Sequence, residues 1–154
     1  MAITVFKASA ETNEGLTTIC RSRGFEYTLD EPPELGGQDK GMNPVESLLA
    51  SYAACKGIVV RAFAQKFRIN LKSIKVELEG DLDPDGFMGL NKDAKIGFSE
   101  IRTRYLIEAD NSDQEIDRFL KFVERNCPVG DTLQNPARMS YTVAGREADL
   151  EKAV

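Results

Sequence analysis

The chain has 154 residues, enough for one domain (1–154) built on a single core. Apolar residues make up 42% and charged residues 29%, an ordinary globular balance, and a net charge of −5 argues against a nucleic-acid-binding surface. No histidine occurs anywhere, which excludes Cys-His and Ser-His-Asp catalytic arrangements and leaves a zinc site only cysteine and carboxylate to work with.

The N-terminal part reads as a three-strand meander. Ile3-Thr4-Val5-Phe6-Lys7 alternates, Glu11 to Gly15 turns, Leu16 to Cys20 is a second strand, Arg21 to Gly24 turns again, and Phe25 to Leu29 is the third. Asp30 to Met42, with two prolines and three glycines, reads as a loop. Asn43 as N-cap, Pro44 at N1 and Glu46 at N3 form a capping-box start for a helix to about Phe67. Its first half is apolar on nearly every face, which predicts burial on all sides by a sheet or a second subunit.

Leu71 to Leu82 alternates as a long strand, Asp83-Pro84-Asp85-Gly86 is a turn, and Phe87 to Phe98 is an irregular connection. Glu100 to Ala109 is another strand, with Arg102 and Arg104 on its polar side. Ser112 and Glu115 cap a helix to about Asn126, Pro128 opens a helical turn through Leu133, and Met139 to Val143 is a last strand before a charged surface tail from Gly145. The order βββ-α-ββ-α-α-β is not strictly alternating, so the fold class is α+β with a mainly antiparallel sheet.

Lys56 and Arg61 break the longest apolar run, so no membrane span is predicted. Met1 to Val5 has neither a basic segment nor a long apolar stretch, so no signal peptide is expected and the reading is cytoplasmic. In that reducing compartment the cysteines rest as thiols, and a disulfide is transient and catalytic rather than structural.

Two cysteines stand in contexts that bear on chemistry. Cys127 precedes Pro128, so as N-cap it faces unpaired backbone N–H groups that lower a thiol pKa, with Arg125 nearby. A thiol that ends one helix and packs into the core is the alternative. Cys55 lies inside the apolar helix, where a cysteine is more often a small hydrophobe than a nucleophile. Against that, Gly57 follows closely, at a cost of about 1 kcal/mol relative to alanine, which signals a close approach to the backbone. Ser51 and Tyr52 share the Cys55 face. Glu46 lies nine residues before Cys55, about 900° of rotation, and so points to the opposite side. Arg21 and Arg23 are candidate charge partners, and Cys20 carries little functional signal.

The run Gly41-Met42-Asn43-Pro44-Val45-Glu46-Ser47-Leu48-Leu49-Ala50, with Ala53-Ala54-Cys55, resembles the first cysteine motif of the OsmC/Ohr superfamily. Gly86-Phe87-Met88-Gly89-Leu90, Gly97-Phe98-Ser99-Glu100-Ile101 and Asn126-Cys127-Pro128-Val129-Gly130-Asp131-Thr132-Leu133 resemble the later part of OsmC-like proteins, in order along nearly the whole chain. The resemblance implies an intertwined homodimer whose sheets wrap two long central helices, with a site at the interface. It also implies a peroxidase acting in oxidative stress defence. The cysteine matching Cys55 attacks an organic hydroperoxide and becomes a sulfenic acid. The one matching Cys127 resolves it as a disulfide, and a dithiol reductant resets the pair without cofactor or metal.

The chain departs from the best-understood peroxidase branch twice. Val45 stands where that branch has a glutamate, with Glu46 one residue and about 100° away. Asn13 stands where it has an activating arginine, and losing a cation beside a buried thiol raises its pKa. Arg21 and Arg23 are the nearby replacements. The alternative reading is a catalytically weak dimer that binds a small apolar or thiol-bearing ligand at the interface pocket. In a third reading the cysteines are purely structural.

Overall fold

The computed structural model describes residues 3–144 and the strand at Lys152–Ala153. The predicted charged surface tail from Gly145 lies outside the residues whose side chains are described. The chain is α+β with antiparallel sheets. It groups into two compact units: residues 1–54 with 75–106, and residues 55–74 with 107–154.

In the first unit, β1 (Ser9–Thr12), β2 (Thr18–Ser22) and β3 (Phe25–Leu29) form an antiparallel meander in register Ala10↔Cys20↔Tyr27. The β2–β3 hairpin turns on Arg23 (φ 52°) and Gly24 (φ 93°), the pair of positive φ angles that a tight hairpin twisting with its strands requires. The predicted strand at Ile3–Lys7 is not formed; β1 starts two residues later. Ile3, Val5 and Phe6 are 94%, 74% and 87% exposed, because an alternating segment becomes a strand only where a neighbour supplies a hydrogen-bond ladder.

The loop after β3 is organised by one buried carboxylate. Asp30 accepts hydrogen bonds from the Thr17 hydroxyl (3.0 Å) and from the backbone N–H groups of Glu31 (2.9 Å), Gln38 (3.2 Å) and Lys40 (3.3 Å). Burial pushes its carboxyl pKa up, but those donors together hold it below its ordinary 3.8. Gly41 lies so close to β3 that a Cβ would stand 2.3 Å from the Thr28 carbonyl oxygen, so only glycine fits.

Helix α1 (Pro44–Phe63) begins with the predicted capping box: Asn43 N–H donates to Glu46 Oε2 (2.8 Å) and Glu46 N–H to Asn43 Oδ1 (2.9 Å). Its regular part stops short of Phe67, and turns then close in a Schellman motif. Ile69 N–H donates to Ala64 O and Arg68 N–H to Gln65 O, with Arg68 left-handed at φ 55°. All-round burial is not met within one chain. Val45 and Leu48 are each 37% exposed and Ile58 is 67% exposed.

Strands β4 (Leu71–Asp81) and β5 (Glu100–Ala109) form a two-stranded sheet. Asp110 N–H bonds to Asn70 O at one end and Ser99 N–H to Asp81 O at the other, which makes the pairing antiparallel. Arg102 does lie on the polar side, gripping Asp81 through both terminal nitrogens and Glu79 through Nε. The predicted turn at Asp83–Gly86 is instead the N-cap and start of a one-turn helix, α2 (Pro84–Phe87), because the Asp83 side chain accepts from Asp85 N–H and Pro84 suits N1.

In the second unit, α3 (Asp113–Asn126) carries the capping box of Ser112 and Glu115 and is followed by α4 (Pro128–Gln134). Here the core closes: Val60, Phe119 and Val123 are fully buried, and Phe67 stacks obliquely on Phe119 and Phe122 at 5.2 and 4.5 Å between ring centres. The last predicted strand shrinks to β6 (Ser140–Tyr141), paired antiparallel with β7 (Lys152–Ala153). Among the described residues no helix is long and apolar enough to cross a membrane.

Candidate functional site

The second unit brings Cys55 and Cys127 together from 72 residues apart in sequence, and both are free thiols. Helix α1 carries Cys55, which is partly exposed. Cys127 is 1% exposed and is at once the C-cap of α3 and the N-cap of α4, with extended backbone (φ −84°, ψ 110°) between the two helices. Pro128 causes this break: it has no N–H to continue α3, yet its fixed φ suits the first position of a new helix.

The two sulfurs are 3.0 Å apart, with the Cys127 S–H donating to Cys55 Sγ. A disulfide bond is about 2.05 Å long, so closing one needs a movement of about an ångström. The arrangement sets a partly exposed cysteine beside a buried one, at a separation from which a two-electron oxidation could join them as a disulfide.

The predicted fall in the Cys127 pKa is corrected. The N-cap geometry is present, since Gly130 N–H points at Cys127 Sγ at 3.5 Å, and the Gly130 and Val129 amides do pull the pKa down. Burial outweighs them, reinforced by the hydrogen bond to Cys55, and pushes the thiol up. Near neutral pH Cys127 therefore stays protonated, which is what a donor to the Cys55 sulfur must be.

Sequence reasoning missed the residues beside this pair. Lys56 is 1% exposed, and its ammonium lies 2.5 Å from both carboxylate oxygens of Glu124 on α3. A signal existed. Tyr52, Lys56, Val59, Val60 and Phe63 recur at helical spacing, so Lys56 falls on the inward stripe rather than interrupting it.

The other candidates lie in the first unit, each with its own surroundings. Glu46 is engaged by the Asn43 N–H at the helix cap. Ser51 is exposed and Tyr52 is 7% exposed on α1. Arg21 is held by Glu26 (2.8 Å) and Glu11 (3.2 Å) across the meander, and Arg23 lies over the Phe25 ring at 5.4 Å. Asn13 donates its side-chain amide to Glu11. A groove of about 440 Å³ is lined by Met42, Glu46, Leu49, Ala50, Ala53 and Leu78. Among the described residues no three cysteine or carboxylate side chains converge as a metal site would need.

Comparison with known proteins gives this geometry a context. The family model of OsmC-like proteins matches residues 37–142. The chain is 27% identical over 142 residues to a hydroperoxide reductase of Mycoplasma genitalium, covering 90% of this chain and 94% of that protein. It is 28% identical over 141 residues to a hydroperoxide reductase of Mycoplasma pneumoniae, covering 90% and 93%. Among solved structures, an OsmC-like protein from Mycoplasma pneumoniae superposes with a TM-score of 0.76 at 28% identity, over 86% of this chain and 89% of that one.

Proposed function

Because the chain belongs to the OsmC-like protein family, we propose that it is a thiol-dependent peroxidase that reduces organic hydroperoxides through Cys55 and Cys127. The observation that carries this reading is the 3.0 Å approach of the two sulfurs, one partly exposed and one buried. The names of the Mycoplasma relatives support the substrate class.

Exposure assigns the order of events. Cys55, which a peroxide can reach, attacks as its thiolate. The O–O bond breaks, the alcohol leaves with a proton, and Cys55 holds a sulfenic acid. The Cys127 sulfur then attacks the Cys55 sulfur. Its proton and the displaced hydroxide leave as water, and a disulfide joins the two residues. A dithiol reductant takes up the oxidation and returns both thiols. The cycle uses no metal or prosthetic group, and it suits the reducing cytoplasm, where such reductants are maintained. The apolar residues that α1 leaves exposed support assembly as a homodimer, since such a face is normally covered.

The test is single-turnover reaction with an alkyl hydroperoxide, followed by thiol titration and intact mass. The wild type is expected to lose two thiols and two hydrogen atoms per chain. Cys127→Ser should stop at the sulfenic acid, and peroxide consumption that persists in Cys55→Ser would sink the reading.

A second reading has its own observation. Asn13 and Val45 stand where the peroxidase branch has its charged pair, Glu46 is committed to the helix cap, and Arg21 is committed to Glu11 and Glu26. These favour a catalytically weak dimer that binds a small apolar or thiol-bearing ligand. A rate no better than that of a free small thiol would decide for it.

A further inference from the structure

We propose that the ion pair between buried Lys56 and partly exposed Glu124 is a positioning device for the thiol pair, holding the last turn of α3 against α1 so that Cys127 stays within closing distance of Cys55. This inference rests on the redox-pair reading above.

Lys56 follows Cys55 directly on α1, and Glu124 precedes Cys127 by three residues, one turn back along α3. The contacts Cys55–Cys127 and Lys56–Glu124 therefore tie the same two helices at the same level. Both carboxylate oxygens lie 2.5 Å from the ammonium, a close charge-assisted contact that fixes the distance between the two helices at this level. Cys127 needs such a fixture. It sits on the single extended residue between α3 and α4, where a small change in backbone angle would swing its sulfur. Burying the Lys56 ammonium is also a poor way to gain stability alone, because an apolar residue of similar volume would serve as well. What it adds is geometric specificity, and intramolecular reactions depend steeply on geometry.

The step at stake is disulfide closure, in which the Cys127 S–H and the Cys55 sulfenic acid become a disulfide and water. Loss of the fixture leaves peroxide attack at Cys55 intact and slows closure, so excess peroxide carries Cys55 onward to sulfinic acid.

The experiment compares wild type with Lys56→Met, Lys56→Arg and the double variant Lys56→Met/Glu124→Leu, which leaves no unpaired charge and so keeps the test valid if the single variant fails to fold. Sulfenic acid is trapped with a cyclic dione, disulfide and sulfinic acid are separated by mass, and the disulfide is also equilibrated against glutathione without peroxide. The expected result is sulfenic acid formation within about twofold of wild type, with closure slowed about tenfold or more. The equilibrium constant against glutathione should fall about as much. Lys56→Arg should recover most of both, because guanidinium also pairs with a carboxylate. Wild-type closure and wild-type glutathione equilibrium in the folded double variant would overturn the proposal. The glutathione measurement separates the two readings, since a wild type that forms the disulfide but ignores peroxide fails as a peroxidase while still testing the fixture.

Discussion

The two compact units bury their apolar side chains very differently. In the unit of residues 55–74 and 107–154, Val59, Val60, Phe119, Val123 and Cys127 form a closed core around the junction of three helices. In the unit of residues 1–54 and 75–106, Leu29 and Tyr52 are the apolar residues buried among those described, while Phe6, Phe25, Phe87 and Leu90 are each at least two-thirds exposed. The thiol pair thus sits where the chain completes its own packing. The other unit is held by hydrogen bonds, most visibly around Asp30, and leaves those apolar side chains exposed.

The largest way to break this contrast is Phe119→Ala. It removes a fully buried ring that stacks on Phe67, and it is expected to cost about 3–5 kcal/mol by thermal or denaturant unfolding. A loss below about 1 kcal/mol would mean that the second unit does not carry the core described here. Next in size is Leu48→Glu on the exposed face of α1. If that face is the proposed dimer contact, the charge should weaken association by about 2 kcal/mol or more, read as a shift toward monomer in sedimentation. If the face is solvent, stability and mass should change little.

The smallest effect sharpens the contrast rather than breaking it. Asp30 has a folded pKa held below its ordinary 3.8, so its stabilisation is complete above that value and is lost as pH falls through the lower, folded pKa. Acidification should first expose the loop from Glu31 to Met42 to proteolysis, while the Phe119 environment, followed by hydrogen exchange, stays protected. Simultaneous loss of both would show that the two units do not differ in this way.

Legibility in the sequence followed locality. Strands β3 and β5 and helix α3 sit where alternation and the Ser112–Glu115 capping box predict them, because those signals act within a few residues. Ile3 to Lys7 alternates equally well and forms no strand, since the missing ingredient is a partner. Cys127 was identifiable as an N-cap from Pro128. The sign of its pKa shift was not, because burial is a property of the packed core and it outweighs the local amides. Cys55 and Cys127 became a pair only through family resemblance, because the 3.0 Å approach of their sulfurs is a property of the packed chain. Lys56 was overlooked because a lysine reads as surface until its helical phase is counted against Val59 and Val60.

The bond from Gly130 N–H to Cys127 Sγ also gives the molecule a built-in reporter. A sulfur accepts a hydrogen bond whether it belongs to a thiol or a disulfide, so under the proposed cycle the α4 cap would survive each turn while the electron density on its acceptor changes. The amide resonance of one glycine, two peptide bonds beyond Pro128, should therefore track the redox state of the pair in real time, with no added probe and no mutation at either cysteine.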